Sequence, residues 1–265
     1  MTGAKPGDAA PAGAAAMDLQ ASGLREDRIL GGRIRLLQPV DGYRVAIDPV
    51  FLAAAVPATP TDLVLELGAG VGAAALCLAA REPSLRVMGV EIDREAARIA
   101  MRNAELNGMK GRVDIMVGDL LHLPPRLAPG GFHHVMMNPP FMPAGAATPS
   151  PQADKARSNV EGEAQLADWL RVAHTMLRPK GNLVLIHRAD RLEEILAALQ
   201  GRFGEIVLFP LWPGGNRPAA RVLVRARKGI HTPTRLAPGL VLHEPDGRYT
   251  AAAEAVLRDG AGLIL

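Results

Sequence analysis

The chain has a single cysteine in 265 residues, Cys77, so neither a disulfide framework nor a cysteine-built zinc site organises it. Aromatic residues are also scarce, with two Trp, two Tyr and five Phe. That is too few for the multi-base stacking platform of a single-strand-binding protein. No apolar run reaches the roughly 18 residues of a membrane span. A strong charge of one sign is missing too: the formal net charge is +3, which permits a polyanionic partner without demanding one. Residues 1–22 are mostly Ala, Gly and Pro and read as a mobile tail. Pro6, Asp8, Pro11 and Asp18 interrupt the apolar stretch a signal peptide would need, which predicts a cytoplasmic protein.

What remains is 48% hydrophobic and 22% charged, a composition that fits one α/β domain with a short appendage. From residue 62 onward strand, turn and helix alternate. LVLEL (63–67) reads as a buried strand, then come a glycine turn and an alanine-rich helix over 72–81. RVMGVEI (86–92) is a second strand; Asp93 caps a helix to about Leu106, and Asn107-Gly108 supplies a left-handed stop. Further strands are expected at 112–119, 133–138, 182–188, 205–212 and 220–228. A helix near 162–178 buries Leu166, Trp169, Leu170, Ala173 and Leu177. Asp190 and Glu193 have the spacing of a capping box for another helix, 191–201. Strands separated by helices imply a parallel sheet covered on both faces. The last two strands, with no helix between them, imply one antiparallel member. LVLHEPDGRYT, with Asp246-Gly247 at its turn, reads as a late hairpin.

Two clusters carry chemistry. Glu66-Leu67-Gly68-Ala69-Gly70-Val71-Gly72 sits where the first strand meets its helix. Glycines there allow a tight turn and bring backbone N–H groups close to a ligand at a helix N-terminus. The same spacing satisfies a dinucleotide fingerprint, and an ordinary tight turn would also use it. Glu91, at the end of the second strand, can accept both hydroxyls of a ribose, and Asp119, ending the third, is within reach of an adenine edge. Each is otherwise a solvated strand-end acid.

The second cluster is Asn138-Pro139-Pro140-Phe141, at the carboxyl end of the fourth strand, where open α/β sheets bind ligands. The Asn138 amide oxygen and the Pro139 carbonyl are two acceptors on a backbone stiffened by two prolines. Together they can grip an NH2 group on a planar system and leave its nitrogen lone pair free to attack. Phe141 offers a flat face on which that system can stack. The plainer reading is a proline turn with a buried Phe.

With these residues, positions from about 30 to 228 resemble the class I, Rossmann-like S-adenosylmethionine-dependent methyltransferases. Within that class the pattern is most similar to the bacterial tRNA1(Val) (adenine(37)-N6)-methyltransferase group. The resemblance rests on ELGAGVG (66–72), VEID (90–93), GD (118–119), NPPF (138–141) and LLQPVDGYRVAIDPVFLAAAV (36–56). It implies a mostly parallel seven-stranded sheet with one antiparallel strand and helices on both faces. It also implies S-adenosylmethionine as cofactor, with Gly68, Gly70 and Gly72 against the methionine moiety, Glu91 on the ribose and Asp119 on the adenine. Glu66, Ile92, Leu120 and Asn138 complete the implied cofactor set. Asn138, Pro139 and Phe141 would hold the target amine, and Asp48 is a candidate for closing the methionine side. The implied divisions are a tail (1–22), a pre-motif segment (23–61), the cofactor-binding domain (62–230) and a C-terminal appendage (231–265).

The reaction expected is N-methylation of an exocyclic amine, with N6 of adenine in tRNA as the leading substrate and no metal. Methyl transfer is governed by approach geometry, so no dedicated general base is expected. A protein-glutamine methyltransferase shares the motif, usually with Tyr for Phe, but would carry a helical domain ahead of the glycine loop. An NAD-dependent oxidoreductase explains the glycine loop and Glu91 but leaves NPPF without a purpose. A catalytically silent RNA-binding relative would not need an intact pocket. For RNA contact the candidates are Lys155 and Arg157, in the long small-residue segment 142–160, and Arg221, Arg225 and Arg227, which alternation places on one strand face. A soluble arginine face is the competing reading. His133-His134, on opposite strand faces, are not expected to share a metal, His187 shows no ligand spacing, and Met136, Met137 and Cys77 read as core.

Overall fold

The computed structural model describes residues 23–41, 44–141 and 164–265. The expected tail and the segment holding Lys155 and Arg157 lie outside the described residues. Among the described residues eleven strands and six helices follow in chain order. A hairpin of β1 (Leu24–Ile29) and β2 (Ile34–Pro39) precedes α1 (Asp48–Ala55). Then come β3 (Leu63–Leu67), α2 (Ala73–Arg81), β4 (Arg86–Glu91), α3 (Arg94–Leu106), β5 (Val113–Val117) and β6 (Phe132–Met137). The second half holds α4 (Leu166–Met176), β7 (Leu177–Arg188), α5 (Leu192–Leu199), β8 (Phe203–Trp212) and β9 (Arg221–Lys228). The chain closes with β10 (Arg235–Leu236), β11 (Leu240–Val241) and α6 (Ala251–Leu257).

The main strands lie in the order β5-β4-β3-β6-β7-β9-β8. All pair in parallel except β9, which runs antiparallel to both β7 and β8. Two two-residue strands, β10 and β11, extend the edge beside β8 and make a nine-stranded sheet. The order reverses at β3, which has β4 on one side and β6 on the other. Doubly wound sheets open a ligand crevice at such a reversal, outside the carboxyl ends of the strands.

Each face of the sheet has its own core. On one, Val64, Val87, Ile115, Met136, Val184, Ile186 and Leu223 pack under α1, α2, α3 and α6. On the other, Leu65, Leu67, Val90, Val135, Met137, Leu183, Leu185 and Val224 pack under α4 and α5. Residues of β3 therefore alternate between two apolar layers, as strands covered on both sides must. Met136, Met137 and Cys77 are buried in these layers.

Local sequence sets the helix ends. Asp93 caps α3, its carboxylate accepting the N–H groups of Glu95 (2.8 Å) and Ala96 (3.2 Å), and Gly108 follows in the left-handed region at φ 66°. The Asp190–Glu193 capping box does not form. The Asp190 carboxylate is taken by the Arg188 guanidinium, a 3-10 turn intervenes, and α5 starts at Leu192 with no side-chain cap. The β1–β2 hairpin, inside the pre-motif segment, is not among the elements expected from the sequence, although Gly31-Gly32 at its turn, φ 64° and 89°, signals it. The late hairpin is present as a turn: the Glu244 N–H donates to the Arg248 carbonyl at 2.8 Å, and His243 stacks on Tyr249.

Candidate active site

The glycine loop leaves β3 and is pinned to its neighbour before the helix begins. The N–H groups of Gly68 and Ala69 both donate to the Val90 carbonyl, at 2.9 and 3.0 Å. Gly68 has φ 69°, and a Cβ there would stand 2.6 Å from the Trp169 indole. Gly72 caps α2 in the left-handed conformation, φ 85°. Gly70 differs: its φ is 53°, and a Cβ would meet nothing within 4 Å. The backbone is thus bare towards open space at the N-terminus of α2, where dipole and unpaired N–H groups favour a polar ligand.

Glu91 ties the loop to β4. One carboxylate oxygen accepts the Gly70 N–H at 2.7 Å and the other accepts the Asp93 N–H at 2.9 Å. Each oxygen keeps a second lone-pair direction, so the group remains able to accept two hydroxyls. Burial raises its carboxyl pKa above the ordinary value, while the two N–H donors oppose that rise. Beside it Ile92 is 69% exposed, an apolar surface turned outward at the strand exit.

Asp119 closes a turn after β5, accepting the Leu121 N–H at 2.8 Å and pairing with His122 at 2.9 Å. The His122 interaction holds its carboxyl below the usual range. Leu120 turns inward to the α4 side of the sheet. Glu66 is committed elsewhere than its neighbours: it is buried, and its carboxylate accepts the Ala75 N–H at 3.0 Å inside the first turn of α2. Burial, with Glu91 nearby, raises its pKa to about 8, so at neutral pH it carries a proton.

Asn138 follows β6 at the same sheet edge. Its side-chain oxygen is buried and has no hydrogen-bond partner among the described residues. A buried amide oxygen left unpaired costs roughly 1–3 kcal/mol, and the natural compensation is a donor from a guest. Pro139 is buried beside it. Phe141 is gripped from several directions. Its carbonyl accepts from Arg191 at 3.2 Å, the His187 ring meets it edge-on at 5.4 Å, and the Arg221 guanidinium carbon lies 4.7 Å from its ring centroid. Arg221 in turn donates through Nε to buried Asp48 at 2.9 Å.

The structure therefore brings Gly70, Glu91 and the strand ends carrying Ile92 and Asn138 to one edge, and it ties Asp48 to the Phe141 end through Arg221. The expected row of phosphate-facing arginines is not a set of uncommitted charges. Arg221 pairs with Asp48, and Arg227 pairs with Glu205 at 2.9 Å and reaches the Lys180 carbonyl. Arg225 is half-buried, and desolvation lowers its guanidinium pKa. These side chains lie on the sheet face covered by α1 and α2, with Leu223 among them, so they are drawn inward. Sequence reasoning passed over His187, whose only signal was its place at the end of a strand. It is fully buried, and burial lowers its pKa to about 4, with the neighbouring Pro140 and Arg188 backbone opposing the fall. It also missed Trp169 as the surface under Gly68. His134 pairs with Asp62 at 3.0 Å, and among the described residues no group of three His, Cys, Asp or Glu side chains is placed to hold a metal. No helix among them is long and apolar enough to cross a membrane.

A family model described as "Methyltransferase small domain" matches residues 45–208. A tRNA1(Val) (adenine(37)-N6)-methyltransferase from Aeromonas hydrophila is 29% identical over 78% of this chain and 85% of its own length. One from Porphyromonas gingivalis is 35% identical over 57% of this chain, and the match spans 61% of that relative's length. A 4-amino-L-phenylalanine/4-methylamino-L-phenylalanine methyltransferase from Streptomyces pristinaespiralis is 32% identical over 62% of this chain and 57% of its own. Among solved structures, one described as a predicted O-methyltransferase from Agrobacterium tumefaciens aligns with TM-score 0.66 and 29% identity, over 82% of this chain and 98% of that one.

Proposed function

Because the chain belongs to the methyltransferase small domain family, we propose that it is an S-adenosylmethionine-dependent N-methyltransferase whose acceptor is an exocyclic amine, N6 of adenine in tRNA. The observation that carries this reading is the buried, partnerless Asn138 side-chain oxygen at the edge where the glycine loop and Glu91 meet. The residues fit the cofactor. Gly70 leaves the backbone open, Glu91 keeps lone pairs for two hydroxyls, and exposed Ile92 offers a flat ring an apolar neighbour. When bound, S-adenosylmethionine supplies a methyl group on a sulfonium.

The protein's own task is then positional. The Asn138 oxygen and the Pro139 carbonyl accept the two N–H groups of the target amine and turn its lone pair towards the crevice. Phe141 holds the attached ring flat. Holding two reactants at contact distance and correct angle supplies several kcal/mol of barrier lowering, and displacement at a sulfonium carbon asks for little proton chemistry. The oxygen acceptors also favour the positive charge that develops on the attacking nitrogen until it gives up a proton.

The choice of tRNA over other amines rests on the two tRNA1(Val) relatives and on Phe following the two prolines. The aminophenylalanine relative keeps a small aromatic amine as the second reading, since that acceptor is also an NH2 on a planar ring. Transfer of tritiated methyl into total tRNA, total protein and 4-aminophenylalanine separates the cases, with Asn138→Ala as the control. Label entering tRNA supports the reading; label entering only protein or the amino acid overturns the substrate. Stabilisation by NAD and not by S-adenosylhomocysteine in a thermal shift would overturn the cofactor.

A further inference from the structure

The Phe141 ring is built into a cradle whose parts come from four separate places in the chain. Asp48 starts α1, Phe141 ends the NPPF turn, His187 is the last residue but one of β7, and Arg221 starts β9. Arg188 and Arg221 are opposite one another in the β7–β9 register, so the reversed strand delivers Arg221 to the same edge as the NPPF turn. The Arg221 guanidinium carbon stands 4.7 Å from the ring centroid, its Nε is held at 2.9 Å by a buried carboxylate, and the ring of His187 abuts Phe141 at an interplanar angle of 89°.

We propose that Arg221, anchored by Asp48, is a positioning residue that occupies one face of Phe141 and so presents the opposite face for the amine-bearing ring to stack on. Arg221 acts through Phe141 and not by meeting a phosphate. This rests on the methyltransferase reading of the site. A planar, always-charged guanidinium can lie flat over a ring while its Nε is bonded elsewhere; a lysine can keep the charge opposite Asp48 but not the plate over the ring. The fully buried His187, its ring centroid 5.4 Å from that of Phe141, is held neutral by burial and so does not compete for Asp48. Of the arginines on this face of β9, Arg221 is the one tied to both Asp48 and Phe141.

The test uses Arg221→Lys, which preserves a cation opposite Asp48, and Asp48→Asn/Arg221→Gln, which removes both charges together and leaves neither stranded. Two measurements are made on each variant of the full chain. In 13C-labelled phenylalanine spectra, which hold only five Phe, the Phe141 resonances (assigned with Phe141→Leu) should move and the ring flip should quicken. At saturating tRNA, kcat should fall about tenfold, while S-adenosylhomocysteine affinity and Tm stay those of the wild type. In a Phe141→Leu background, Arg221→Lys should cost nothing further. A raised KM and a shallower salt dependence, with kcat and the Phe141 resonances unchanged, would make Arg221 a phosphate contact and overturn the proposal. If the wild type labels no RNA, the substrate reading fails and the ring resonances decide alone: unmoved in both variants, they overturn the cradle; moved, they uphold it.

Discussion

Asn103, in the last turn of α3, is hydrogen-bonded through both ends of its side-chain amide to the backbone of one residue, Leu37. Its oxygen accepts the Leu37 N–H at 2.7 Å and its NH2 donates to the Leu37 carbonyl at 2.9 Å. One turn later Asn107 does the same for Arg35, at 2.9 and 2.7 Å. Two amides four residues apart, one in the last turn of α3 and one capping its end, thus serve Leu37 and Arg35 of β2, completing the edge of the hairpin as a neighbouring strand would. Asn103 is fully buried, so Asn103→Ala strands both Leu37 groups. It should cost about 2–4 kcal/mol in urea unfolding, against about 1 kcal/mol for the half-buried Asn107→Ala.

Glu66 makes stability fall with rising pH. Its pKa is raised in the folded protein from 4.5 to about 8, so between these values the native state holds a proton that the unfolded chain releases. Deprotonation therefore favours unfolding across that window and levels off above pH 8. Glu66→Gln keeps an oxygen for the Ala75 N–H and has no proton to lose. The variant should gain on the order of 3–4 kcal/mol over the wild type between pH 5 and pH 8. Denaturant midpoints at the two pH values measure it, and a constant difference would contradict the assignment.

Asn138→Ala should leave S-adenosylhomocysteine affinity within a factor of about two while single-turnover methylation drops a hundredfold or more, the order seen when one preorganised polar partner is removed. Wild-type turnover in this variant would remove the role given to the NPPF turn.

Glu91→Gln should weaken S-adenosylhomocysteine about tenfold by calorimetry, because a charged acceptor becomes a neutral one with a single oxygen. The Gly70 and Asp93 N–H groups compete for what remains. Equal affinity would place the ribose elsewhere.

Much of this architecture was legible because its causes are local. LVLEL, RVMGVE and their successors are short apolar runs between turn residues, and Asp93 and Gly108 mark helix ends by side-chain and backbone rules that need no tertiary partner. The antiparallel β9 was readable for the same reason, since no helix separates it from β8. The capping box at Asp190 failed because a competing local partner, the Arg188 guanidinium two residues earlier, takes the carboxylate. Alternation correctly put Arg221, Arg225 and Arg227 on one face, but it cannot say what covers that face. That depends on α1, Glu205 and Lys180, which are distant in sequence. Phe141 is readable as a candidate stacking surface from its place after two prolines, whereas Arg221 and His187 around it arrive by sheet register alone.

The reversal of β9 has an outcome for how such a protein can diversify. In a purely parallel sheet every link on the ligand side leads into a crossover helix, and lengthening it disturbs the layer above. Here the segment 213–220 between β8 and β9 is a plain hairpin loop that surfaces beside the NPPF turn, since Arg221 emerges from it level with Arg188. Insertions there would reshape the rim facing the acceptor molecule at little expense to the scaffold. New acceptors can thus be tried by editing a loop between two paired strands, without lengthening a crossover.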